Sequence, residues 1–73
     1  MGHVAAVGER VRVAGLSLAG VRVLVAEDPE AVRRAWRSLS GEVTLVIVTP
    51  AAAEMLGRAA LESTRPLTAV MPA

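Results

Sequence analysis

Seventy-three residues leave room for one domain, and a chain this short buries only about 60% of its unfolded surface. It has no cysteine and a single histidine, His3, which excludes disulfides and a structural zinc cluster and implies no metal or other cofactor. Eight arginines against seven carboxylates give a net charge of +1, and no arginine cluster alternates with stacking aromatics, so nucleic acid is not the expected partner.

The first apolar run, Val4–Val7, has strand length. The N-terminal stretch MGHVAAVGER lacks a basic segment leading into a long apolar core, so no signal peptide is expected and the chain is assigned to the cytoplasm. His3 reads as a surface or strand-start residue, because no nucleophile or carboxylate lies at a recognisable spacing from it.

Gly8 to Gly20 supports two readings. Arg10-Val11-Arg12-Val13 alternates with period 2, as the second strand of a hairpin turning at Gly8-Glu9 would. That leaves Leu16 and Leu18 in a loop with nowhere to be buried. A helix from about Arg10 to Ala19, ended by Gly20, instead turns Val13, Leu16 and Ala19, or Ala14 and Leu18, toward a sheet. The helix is the preferred reading.

Val21–Val25 is the second strand. Asp28-Pro29-Glu30 starts a helix: the aspartate caps free N–H groups, and proline in the first turn loses nothing by lacking its own. Val32, Ala35, Trp36 and Leu39 then recur at helical spacing, opposite Arg33, Arg34 and Arg37. Glu30 stands four residues before Arg34, and Gly41 is the expected stop. Val43–Val48 is the third strand. The uncharged run Val43 to Ala53 is about half a membrane span, so no insertion is expected. Thr49-Pro50 repeats the cap-and-proline signal, with Ala52, Met55, Leu56, Ala59 and Ala60 as the buried stripe. Leu67–Met71 is the fourth strand.

The connections at residues 8–20, 26–42 and 49–66 are 13, 17 and 18 residues long, the length of parallel crossovers and far beyond hairpin loops. Arg22 and Thr68 suit edge strands, whereas Val4–Val7 and Leu45–Val48 are apolar on both faces. The expected fold is therefore α/β: a small four-stranded parallel sheet in order 2-1-3-4, connected β-α-β-α-β-α-β in a flavodoxin- or receiver-like way. Exposed edges at strands two and four leave self-association open.

The chain resembles the F subunit of A/V-type rotary ATPases and ATP synthases. Family members tend to begin with a strand ending in Gly-Asp, then Gly-Phe-x-Leu-Ala-Gly-Val. Here Gly8-Glu9 is followed by Gly15-Leu16-Ser17-Leu18-Ala19-Gly20-Val21. Ala35-Trp36 before Leu39 is similar to the family's A-F-x-x-L helix, Val46-Ile47-Val48-Thr49 with Ala53 to its I-L-I-T…A element, and Val70-Met71-Pro72-Ala73 to Glu-Ile-Pro-Ser. The departures are Leu16 for phenylalanine and Glu9 for aspartate. Relatives also run on into a C-terminal helical tail, so the expectation is a relative whose tail was removed or shortened. The resemblance implies a non-catalytic central-stalk subunit that turns with a coiled-coil rotor shaft. Such a subunit helps couple ATP hydrolysis or synthesis to proton or sodium transport, peripheral to the membrane through the complex. It also implies that Gly15–Val21 is a crossover into strand two.

Candidate interface residues are Glu9, Arg10, Arg33, Trp36 and Arg37. The plainer readings are a tight turn at Gly8-Glu9, a solvated face for Arg33, Arg34 and Arg37, and core packing for Trp36. An aromatic at the edge of the stripe can also anchor a partner, and the arginines can meet acids of a neighbouring coiled coil. No catalytic set emerges. A competing reading is a stand-alone receiver-like signalling or small-ligand domain using the crevice beside Gly8, Glu9 and Asp28. Against it, the second acid expected after strand one is missing, Thr49 stands where an aspartate belongs, and the chain has no lysine. An α/β fragment without a role of its own is a third.

Overall fold

A computed structural model describes residues 2–62 and 66–72. Strand β1 (His3–Gly8) leads into the short helix α1 (Arg10–Val13), which runs on as a 3₁₀ helix over Ala14–Ala19. Then come β2 (Arg22–Val25), α2 (Pro29–Arg37), β3 (Val43–Val48), α3 (Pro50–Leu56), α4 (Arg58–Leu61) and β4 (Leu67–Val70). The four strands form one sheet in the order β2-β1-β3-β4, every neighbouring pair parallel. The α/β expectation and its strand order hold, and the hairpin reading of Gly8–Gly20 falls.

β1 is central because its sequence tolerates burial on both faces. Ala5, Ala6 and Val7 have no exposed surface. Ala5 and Val7 join Val46 and Val48 of β3, Val32 of α2 and Ala52 and Ala53 of α3 in one apolar cluster. Leu24, Ala35, Trp36, Leu39, Met55 and Leu56 close around it. Side chains alternate across a strand, so Ala6 points to the opposite face, where Val13 of α1 is also fully buried. Small residues on β1 let helices approach both faces closely.

The first crossover departs from the expected continuous helix. Only Arg10–Val13 is α-helical. The 3₁₀ winding of Ala14–Ala19 carries the chain farther per residue, so the connection spans about 18 Å where an α-helix of ten residues spans about 15 Å. A strand the length of β1 runs about 20 Å, so the extra reach suits a return to its start. The cost is the helical stripe: Val13 is buried and Leu16 half-buried, but Leu18 is 92% exposed, and Ala14 and Ala19 also face outward. Gly20 closes the segment as expected, its N–H reaching the Leu16 and Ser17 carbonyls.

α2 follows its sequence signals at the start and departs at the end. Asp28 Oδ1 accepts from Ala31 N–H at 2.8 Å, with Pro29 in the first turn. The helix stops at Arg37 rather than running to Gly41, because Ser38 turns its hydroxyl back onto the Ala35 carbonyl at 2.7 Å. The Glu30–Arg34 pair does not form: among the described residues the one ion pair within 4.0 Å is His3–Glu42. The third crossover is likewise two helices, broken by Gly57 at φ +91°. Met55 and Leu56 still pack on the core, but Ala59 is exposed.

Gly8 is not the glycine of a tight turn. It is the last residue of β1, and its φ is not positive. What it supplies is space: a Cβ here would lie 3.0 Å from Thr49 Cβ, 2.7 Å from its Oγ1 and nearer still to its Cγ2. We expect Gly8→Ala to destabilise the fold by about 1–3 kcal/mol through overpacking. At about 4–8 °C per kcal/mol for a domain this size, a thermal melt resolves that loss. Adding Thr49→Ser, which deletes the nearest clashing carbon, should recover part of it.

Candidate functional site

The carboxyl edge of a parallel sheet is where such folds place ligands, at the point where the strand order reverses. Here that point lies at the end of β1, flanked by β2 and β3. Backbone bonds carry the ladder past the strands: Ala26 N–H to the Gly8 carbonyl at 2.9 Å, Thr49 N–H to Val7 at 3.2 Å and Met71 N–H to Val48 at 2.8 Å. The edge is thus a rigid rim, with Glu9, Glu27, Asp28 and Thr49 fixed on it.

Thr49 is the hub. It is fully buried, its hydroxyl donates to the Glu9 carboxylate, and its oxygen accepts from Ala52 N–H at 3.2 Å as the cap of α3. The Thr49 hydroxyl, assisted by the Glu9 backbone N–H and the nearby Arg12 guanidinium, holds the Glu9 carboxyl below the usual glutamate range, while partial burial opposes it. A hydroxyl beside a carboxylate has the makings of a nucleophile and its base. This one has no exposed surface and both its bonds are committed.

The contact of Glu27 with the start of α1 is the feature that sequence reasoning missed. Glu27 Oε2 accepts from Arg10 N–H at 3.0 Å, taking the place an anionic ligand would occupy at the start of α1. Arg12 and Val13 N–H groups are bonded to the Glu9 carbonyl at 3.0 and 3.1 Å. A phosphate would meet carboxylates, with the nearest donors already engaged, so nothing at this rim favours the small-ligand reading. Asp28 serves as a helix cap. No group of three or more potential metal ligands gathers among the described residues. Only the pairing of strands brings Glu27 to α1 across 17 positions, so no local motif could have revealed it.

The five candidate interface residues divide between two places. Glu9 and Arg10 belong to the rim. Arg33, Trp36 and Arg37 lie on α2: the two arginines are exposed, and Trp36 is half-buried against the core. Trp36 therefore serves as core and keeps an outer edge. That edge opens, with Arg37, onto a groove of about 920 Å³ bounded on its far side by Pro66 and Leu67. His3, at the other end of the sheet, is exposed and bonds Glu42 at 3.0 Å through its Nε2, a partner supplied by the β1–β3 pairing.

The Thr49–Glu9 bond has a signature in pH. A carboxyl whose ionisation is favoured by folding stabilises the fold fully above the unfolded glutamate value of about 4.3, and that contribution is lost as pH falls through the lower folded value. In urea titrations, Glu9→Gln should unfold earlier than the parent chain at pH 6–7. The gap between the two midpoints should narrow as pH falls below about 4.3 and close only once pH is below the folded value.

The comparisons with known proteins bear on the whole chain rather than on this rim. No curated protein is similar enough to count as a relative. The family model described as "ATP synthase (F/14-kDa) subunit" matches residues 4–72, from the first strand to the proline beyond the last. The resemblance read from Gly15–Val21, Ala35–Leu39 and Val46–Ala53 lies within that span, and the crossover it implied between β1 and β2 is the one observed. The chain belongs to the F/14-kDa subunit family of the V-type ATP synthases.

Proposed function

We propose that the chain is a non-catalytic central-stalk subunit of a V-type ATP synthase. In this reading it sits on the coiled-coil rotor shaft, turns with it, and helps couple ATP hydrolysis or synthesis to proton or sodium transport. Family membership implies association with other rotary ATPase subunits; the shaft as the direct partner is the proposal's own step. The single observation that carries it is the family match over nearly the whole chain. The rim supports it: a hydroxyl sealed from solvent and a helix start plugged by Glu27 leave little for a substrate to reach.

A subunit of this kind acts through shape. Its sheet and helices would ride as one piece on the shaft, transmitting torque or tuning its motion without forming or breaking bonds. No described helix is long and apolar enough to cross a membrane. As part of this reading we place the chain in the cytoplasm, held near the membrane through its partners. Co-expression with the shaft subunit encoded by the same genome tests the proposal. The two should co-elute as a stable complex; separate elution over a range of salt concentrations overturns it.

A further inference from the structure

We infer that the groove between the end of α2 and the start of β4 is the surface by which this chain grips an acidic, amphipathic helical face of its partner. The inference rests on the stalk reading and adds to it a place and a chemistry.

The apolar part comes first. Leu67 is 59% exposed at the head of an edge strand. It lines the same groove as Trp36 and Leu39, both only partly covered by the core, together with Pro66 and Thr44. Tryptophan at the rim of a depression, with aliphatic neighbours, is the usual composition of an interface anchor. The groove is open and broad, so it suits a row of side chains projecting from a helix rather than an enclosed ligand.

The charge decides which helix. Among the described residues, Arg37 is the one charged side chain lining the groove, and Arg33 stands one turn earlier on the same helix. Neither they nor Arg34 have a carboxylate within 4.0 Å among the described residues. The acids of α2, Asp28 and Glu30, lie at its opposite end, and Asp28 is held by its cap bond. The groove therefore presents apolar surface beside the Arg37 guanidinium, which has no carboxylate within 4.0 Å among the described residues, and arginine's fork is suited to carboxylates at interfaces. A partner helix with leucine-like residues on one stripe and glutamates or aspartates beside it would satisfy both.

Trp36 is the only tryptophan in the chain, which makes the test direct. Labelled with 5-fluorotryptophan, the chain has one fluorine resonance, which is followed while the unlabelled shaft subunit is added. We expect the resonance to move as complex forms. We also expect Arg37→Glu and Leu67→Asp each to weaken binding tenfold or more, the former most strongly at low salt. Arg22→Glu, on the opposite edge strand, should bind like the parent chain. Both groove positions are exposed, and circular dichroism melts confirm that the variants fold.

If the parent chain binds the shaft but the resonance stays put and both groove variants bind normally, the groove is overturned and the stalk reading survives. If the parent chain does not bind the shaft at all, both fall. If the resonance moves with concentration of the chain alone, the occupant is a second copy and the inference is overturned.

Discussion

The fold turns on one buried hydroxyl. Thr49 links the end of β1 to the beginning of α3: it donates to Glu9, which leads out of the first strand, and accepts from Ala52, which opens the third crossover. A polar group buried without partners would be costly, so its two bonds are a condition of its position. That position is available only because residue 8 has no side chain. The two central strands can therefore end side by side, and the rest of the sheet takes its register from them.

Much of this was legible in the chain itself, and the parts that were not share a cause. Crossover lengths forced parallel strands, and alanine and valine runs picked out the inner pair. The Asp-Pro and Thr-Pro signals located two helix starts correctly because capping is local chemistry, read within four residues. The helix ends were misplaced for the same reason: Ser38 competes with Gly41, and Gly57 was indistinguishable from a tolerated helical glycine. In the first crossover, the distance to be spanned overrode the apolar period, leaving Val11 and Leu18 outside. The pairings Arg10–Glu27, His3–Glu42 and Glu9–Thr49 join residues 17 to 40 positions apart. They belong to the topology, and no motif announces them.

The functional picture follows the same division. Where this architecture normally admits a ligand, Glu27 takes up the Arg10 N–H, while at the other end of the molecule Arg37 and Leu67 are exposed with no carboxylate within 4.0 Å of the arginine among the described residues. That pattern fits a part that works by being held.

The bond from Arg12 Nη2 to the Pro72 carbonyl, 2.6 Å long and bridging 60 positions, gives this a mechanical side. β4 is an edge strand attached to the sheet through β3 alone. Force applied where the chain leaves β4 would peel such a strand like a zip, one ladder rung at a time. The guanidinium clamp ties that end of the chain to the first crossover as well, a second attachment besides the ladder to β3.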